Sequence, residues 1–354
     1  MTIRVNRRTA LGLGTVATAG TVFGPSVPAA AEPGPAATTS AEPGQAGTTA
    51  AQPGPSAERR SAVARVAAAY RRETGRAGGN WQAYVSLTSP TGGDPLVAVA
   101  ESADRRIEAY SVNKIAVAVA VLDKVDRGLL TLDQRVEVSA AIVVPGGDGI
   151  FSLDGAYPSQ VTLGHVLANL LTVSDDTAVR LCGLVCPAAE LNQILQAKGF
   201  PNTQVQPVAN PNRFFLGTST PRETHDLLQA LVGGTLLTPS STDVVLRLLR
   251  APVAFTDGIR REMSSAQRAR IATKAGWFAD ARHEAGVIFD AAGAPVLTYA
   301  LFADGQPGAD DYGATHPAVA ARARLGRWFL DATDRVGGSG TRHRAHPHRP
   351  SNGG

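Results

Sequence analysis

A serine and a lysine three residues apart, Ser111-Val112-Asn113-Lys114, open the most apolar stretch of this 354-residue chain. Residues at i and i+3 share a helix face, which brings the lysine amine towards the serine hydroxyl. Residues 115–121 are apolar throughout, so a helix built on them is buried and a lysine at its start loses water. Desolvation lowers a lysine pKa, and a neutral amine beside a hydroxyl can act as the base for nucleophilic catalysis. A serine at a helix start also turns its own backbone N–H to where an oxyanion would form. The lysines are Lys114, Lys124, Lys198 and Lys274, every other basic chain being arginine, so a lysine inside a motif carries information.

Two further places have the same potential. Ser174-Asp175-Asp176 lies between two helical patterns, and Thr273-Lys274-Ala275-Gly276 closes a strand pattern. A lysine that ends an apolar strand and precedes a glycine can point its charge into a cleft. Singly, each group has a plain structural reading: a surface lysine near a capping serine, a helix-capping Ser-Asp turn, and a strand-end lysine.

The elements around these groups follow from periodicity. Residues 56–74 place Val63, Val66, Ala67 and Tyr70 at helical spacing, and residues 81–87 and 96–100 are strand-like, with a turn at 91–95 between them. A buried helix is expected over 111–125, and shorter helices over 163–173, 176–181 and 187–197. Residues 200–217 have no period and are expected to form a long loop. Thr220-Pro221-Arg222-Glu223 starts a helix, with threonine as cap, proline at the first position and glutamate three after the cap. A helix over 243–249, strands over 270–274, 285–290 and 296–302, and a closing helix over 317–332 complete the chain. That last helix is expected to turn Val319, Leu325, Trp328 and Phe329 inward. Strands at both ends with helices between them predict an α+β fold, two halves of a sheet joined by an inserted helical lobe, with a cleft where they meet.

In this order and on these elements, the three groups resemble the Ser-x-x-Lys, Ser-Asp-Asn and Lys-Thr-Gly elements of serine β-lactamases and penicillin-binding proteins. The segments TLGHVLANLLTVSDDTA and GGDGIFSLDG are similar to the helix and loop that lead into the second element. The resemblance covers about residues 56–332. It implies a five-stranded antiparallel sheet flanked by N- and C-terminal helices, with an inserted all-helical lobe. It makes Ser111 the nucleophile, Lys114 its base and Ser174 a proton relay to the leaving group. Lys274 would hold a substrate carboxylate, Asp176 and Gly276 would border the substrate, and the N–H groups of Ser111 and Trp277 would form the oxyanion hole. The implied activity is that of a class A-like β-lactamase acting through an acyl-enzyme on a β-lactam or related acyl donor. A D-alanyl-D-alanine peptidase, an esterase-like hydrolase and a non-hydrolytic binding relative stay open.

The sequence departs from that pattern in three ways. Asp176 stands where the second element has Asn, and Ala275 where the third has Thr, which removes a hydroxyl donor near the substrate carboxylate. Residues 203–213 contain no carboxylate, and Ala209 matches the glutamate that activates the deacylating water in class A enzymes, so slow deacylation is expected. Glu190-Leu191-Asn192 comes too early and falls on a helix pattern, which makes Glu190 a surface residue.

Other chemistries find little support. Neither Gly-x-Ser-x-Gly nor His-Glu-x-x-His occurs. His283 is expected to be a structural histidine at a strand edge, and no metal or cofactor is expected. Cys182 and Cys186, the whole cysteine set, fit either a disulfide, if the helix breaks between them at Gly183, or two buried thiols.

The ends are unlike the middle. Arg7-Arg8 before a mildly apolar stretch, then Ala29-Ala30-Ala31, has the form of a twin-arginine export signal over residues 1–31. Residues 32–55 repeat Ala-Glu/Gln-Pro-Gly every ten residues and cannot build a core, so they are expected to be a linker before a domain at 56–336. Residues 337–354, with Arg342, His343, Arg344, His346, His348 and Arg349, are expected to be a solvated basic tail. The formal charge of +4 is modest, and no apolar run approaches the length of a membrane span. The expectation is an exported monomer acting on a small molecule, without a nucleic-acid partner or stable membrane insertion.

Overall fold

The computed structural model describes residues 55–89, 94–153 and 155–336. The export signal, the basic tail, most of the expected turn at 91–95 and all of the linker except Pro55 lie outside them. Pro55 is the first residue of a helix instead. In chain order the helices are α1 (Pro55–Ala77), α2 (Lys114–Asp126), α3 (Leu163–Thr172), α4 (Asp176–Val185), α5 (Ala188–Ala197), α6 (Pro221–Val232), α7 (Pro239–Leu249), α8 (Ser265–Arg268) and α9 (Pro317–Val336). The strands are β1 (Asn80–Leu87), β2 (Leu96–Glu101), β3 (Ile107–Glu108), β4 (Arg135–Val138) and β5 (Ser159–Thr162), then β6 (Gln204–Pro207), β7 (Phe214–Ser219), β8 (Ile271–Phe278), β9 (Ala281–Phe289) and β10 (Pro295–Asp304).

The main sheet has the order β2-β1-β10-β9-β8, antiparallel throughout, as the resemblance implies. Its central strands are apolar on both faces because both are covered. Leu297, Tyr299, Leu301 and Ala303 of β10 join one core with α1 and α9, while Ala300 and Phe302 join a second core with α2 to α5 and α7. This period of two assigns alternate residues of one strand to different layers. Phe329 and Leu325 of α9 are buried, but Trp328 is 41% exposed and lies beneath the Arg72 guanidinium, 4.5 Å from the ring centroid. The expectation that Trp328 faces inward is therefore corrected: its indole covers the outer edge between α1 and α9.

The lobe is built around α2. From Lys114 to Leu122 every residue of that helix is buried, which explains its lack of a polar face. Thr220 caps α6, its hydroxyl accepting from the Glu223 N–H at 3.0 Å. The Glu223 carboxylate does not return to the cap; it accepts from Asn202 and Thr203 and ties α6 to the start of β6.

Three further expectations are corrected. Residues 200–217 are not a structureless loop: β6 and β7 form a hairpin that pairs with β3 in a three-stranded sheet. β6 is four residues long and buries only Val205, too little to leave a period. The buried helix begins at Lys114 rather than Ser111, because Tyr110–Asn113 is a 3₁₀ turn. The possible Cys182–Cys186 disulfide is absent. α4 runs unbroken past Gly183, and both thiols are free and buried. Cys186 follows the helix as its C-cap, with its N–H donating to the Cys182 carbonyl at 2.8 Å.

Candidate active site

The 3₁₀ turn that carries Ser111 is held from two sides. Asn113 donates through Nδ2 to the carbonyls of Leu216 (2.7 Å) and Thr218 (3.0 Å) on β7. On the other side β8 approaches so closely that a Cβ at Gly276 would lie 2.8 Å from Val112 N and 2.9 Å from Ser111 N. Gly276 is thus required by backbone approach, whatever borders it. Tyr110 enters the turn with φ 48° and Ser174 sits at φ 58°, both in a region that costs a side-chain-bearing residue energy. Two of the four such residues among those described are therefore at this place.

Lys114 and Lys274 arrive from different elements, α2 and β8, and converge on one hydroxyl. Lys114 Nζ donates to Ser174 Oγ at 3.1 Å and Lys274 Nζ donates to the same oxygen at 2.9 Å. Lys114 also donates to the Ser174 carbonyl (2.5 Å) and to Asp176 Oδ1 (2.7 Å), and Lys274 to the Ala275 carbonyl (2.7 Å). Both lysines are buried, and both are held below the ordinary lysine range. For Lys114 the cause is burial, opposed by the Asp176 charge; for Lys274 it is burial reinforced by the nearby Lys114. The hydrogen bonds of the Lys114 amine go to Ser174 and Asp176. A carboxylate at 176, where the family pattern has an amide, draws the ammonium to itself and to Ser174.

The middle residue of the second motif has a structural task. Asp175 caps α4 by accepting from Ala178 N at 2.9 Å, and its other oxygen accepts from Ile150 N (2.7 Å) and Phe151 N (2.8 Å). It thereby fastens the 144–151 loop over the site. Asp148 of that loop exchanges backbone contacts with Asp176: its N–H donates to Asp176 Oδ2 at 3.0 Å, and its carbonyl accepts from Asp176 N at 3.0 Å. The Asp148 side chain still reaches solvent, yet partial loss of water and the neighbouring Asp176 hold it above the usual carboxylate range. Nothing in the sequence separates Asp148 from any other loop aspartate except the glycines around it, and Gly149 is obligatory because a Cβ there would meet Asp175.

A cavity of about 550 Å³ opens above these groups. Ser111, Asp148, Asp176 and Trp277 line it, together with Gln206 and Phe215 from the β6–β7 hairpin. The two lysines lie beneath its floor. Ala209 does not line it and is exposed on the hairpin turn. Pairing of β6 with β7 brings Gln206 and Phe215, from either side of the turn, to the cavity that Ser111 lines. Glu190 pairs with Lys124 at 2.6 Å on α5 and lines a different groove.

His283 is buried, on the inner strand β9 rather than at a strand edge. Its Nδ1 accepts from Ala303 N and its Nε2 faces the Glu108 carbonyl, both at 3.0 Å, and burial pushes the imidazole down to about 4. Among the described residues no helix is long and apolar enough to cross a membrane.

Several solved structures share this fold. A β-lactamase from Sphaerobacter thermophilus is 23% identical with a TM-score of 0.62, covering 76% of this chain and 97% of its own. An ancestral class A β-lactamase is 21% identical with a TM-score of 0.62, covering 75% and 99%. A variant of PBP-A, an acyl-enzyme complex with penicillin G, is 22% identical with a TM-score of 0.60, covering 78% and 97%. No curated protein matches the sequence. Residues 63–333, from within α1 to within α9 and so across every strand that frames the cavity, match the beta-lactamase enzyme family, and the chain belongs to it.

Proposed function

We propose that Ser111 is the nucleophile of an acyl hydrolase that opens a β-lactam, or cleaves a related amide or ester, through an acyl-enzyme. The observation that carries this reading is the convergence of two buried lysines on Ser174 Oγ at the edge of the cavity that Ser111 lines. Burial lowers the pKa of Lys114 and so raises the share of neutral amine that can accept a proton. Ser111 Oγ bonds to the carbonyl carbon while its proton passes to the Lys114–Ser174 pair. Ser174 then protonates the leaving nitrogen or oxygen as that bond breaks, and Lys274 stabilises the Ser174 oxygen while it is short of a proton. The backbone N–H groups of Ser111 and Trp277 receive the oxyanion.

Breakdown of the ester is the slow half of this cycle. Residues 204–219 of the hairpin carry no carboxylate, and Asp176 is tied to Lys114. A positioned general base is commonly worth about 10²–10⁴ in rate, each tenfold corresponding to ~1.4 kcal/mol. Intact mass followed over time after mixing with a penicillin tests both halves. An adduct at Ser111 that lasts minutes or longer supports the scheme, and fast turnover without a burst removes the slow step. A chain that no β-lactam or fluorophosphonate modifies is not this hydrolase.

We also propose export by the twin-arginine route, on the strength of Arg7-Arg8 and the small-residue site at Ala29-Ala30-Ala31. Secretion that survives replacement of both arginines by lysine would count against the twin-arginine route.

A further inference from the structure

The cavity around Ser111 is acidic in every charged residue that lines it: Glu108 on β3, Asp148 in the 144–151 loop and Asp176 at the start of α4. The cations close by are held elsewhere. Lys114 and Lys274 lie below the floor with their ammonium groups on Ser174, Asp176 and the Ala275 carbonyl. Arg180 donates to the carbonyls of Ile142 and Val143, Arg213 to that of Ala141, and Arg106 to Thr218 Oγ1. A second cavity of about 330 Å³ shares Glu108 and Tyr110 with the first and adds Asp280 and Asp304, the latter paired with Arg105 at 3.3 Å.

The rim of the cavity is aromatic. Phe215, Phe278 and Tyr312 line it and remain 65%, 63% and 43% exposed, although the Tyr312 ring already carries the Arg282 guanidinium 4.5 Å from its centroid. Large exposed rings gathered at one opening mark a binding surface, and ring faces next to carboxylates attract cations. Burial and the neighbouring Asp176 raise the Asp148 pKa, and an arriving positive charge would oppose that shift.

We infer that the acyl donor carries a positive charge, an alkylammonium or guanidinium group, recognised by Glu108, Asp148 and the aromatic rim. This rests on the reading of Ser111 as nucleophile and narrows its substrate class. The charged group is bound and unchanged. The bond that forms joins Ser111 Oγ to the acyl carbon; the bond that breaks is the donor's C–N or C–O bond; the serine proton leaves with the amine or alcohol. Water then releases the acid and restores the serine.

Three aryl esters with the same acyl chain, ending in trimethylammonium, tert-butyl or carboxylate, provide the test. The second-order rate of acylation is read from aryl alcohol release, and the site from intact mass and peptide mapping. The ammonium ester should exceed the carboxylate ester by roughly tenfold or more at low salt, with the neutral ester between them. That ratio should shrink in high salt and in Asp148→Asn and Glu108→Gln. A carboxylate ester that reacts as fast or faster overturns the inference, as does a ratio that neither substitution moves. Equal acylation of Ser111 by all three esters overturns the inference and leaves the hydrolase reading standing. If no ester reaches Ser111, the hydrolase reading falls and the inference with it.

Discussion

Ser86 and Ser111 make an instructive pair: one has a chain of hydrogen-bonded partners, and the other lines a cavity. Ser86 on β1 lies 2.8 Å from His225 Nε2, and His225 Nδ1 lies 2.9 Å from Asp226 Oδ1. The order serine, histidine, aspartate is the one that activates a nucleophile in unrelated hydrolases. Yet Ser86 is completely buried and His225 nearly so, enclosed between β1 and α6 with the Tyr84 ring 4.6 Å from the imidazole. Ser111 has no such chain of partners, but it lines an open cavity, and the two lysines that meet at Ser174 are held below their ordinary range. Hydrogen-bond order alone does not make a catalytic site. A nucleophile needs volume in front of it and a base whose protonation is poised by its surroundings.

The sharpest way to break this comparison is to remove each hydroxyl. Ser111→Ala should abolish labelling by a fluorophosphonate or a penicillin while changing stability by less than about 1 kcal/mol. Ser86→Ala should label like the parent chain. The opposite pattern, read by intact mass, would exchange the roles of the two clusters.

Removing the base should leave a residue of activity. Lys114→Ala is expected to slow acylation by roughly 10²–10⁴, and stopped-flow release of an aryl leaving group would show it. A rate within a few-fold of the parent would mean that another group accepts the Ser111 proton.

For the closed cluster the effect should be on folding. His225→Phe strands the Ser86 hydroxyl without its partner, at a cost of about 1–3 kcal/mol in denaturant unfolding. Labelling at Ser111 should be retained. Loss of labelling in a folded His225→Phe protein would connect the two regions.

The smallest expected effect is a displacement along the pH axis. Lys114 acts as a base only when neutral, so acylation should rise with pH through its depressed pKa. Asp176 raises that pKa by favouring the ammonium, against the larger opposing effect of burial. Asp176→Asn removes the counter-charge, and the rising limb should move to lower pH. A limb that moves upward would argue that Lys114 is not the group titrating.

Much of the site could be read from short segments. Lys114 is buried because residues 115–121 leave α2 no polar face, and that is visible in the one-dimensional pattern. Gly276 two residues after Lys274 is visible too, although the reason for the glycine, its contact with Ser111 N and Val112 N, involves residues far apart in the chain. The expected strand end at Lys274 is corrected, β8 running on to Phe278. Asp148 and the cavity role of Gln206 and Phe215 were not legible. The first depends on a loop fastened by Asp175, and the second on a hairpin whose strands are too short to show alternation.

What the sequence determined by itself is therefore local. It sets where helices and strands form, which faces are apolar, and the order of three polar motifs along the chain, because each depends on the period of neighbouring side chains. Tertiary structure alone decided which charges meet. Ser174 and Lys274 are a hundred residues apart, and Lys114 and Asp176 sixty-two, so their contacts exist only once α2, α4 and β8 have packed. The same packing sealed Ser86 and opened the cavity at Ser111. Burial, and with it the protonation of each lysine, is a property of the assembled layers, and no single segment carries it.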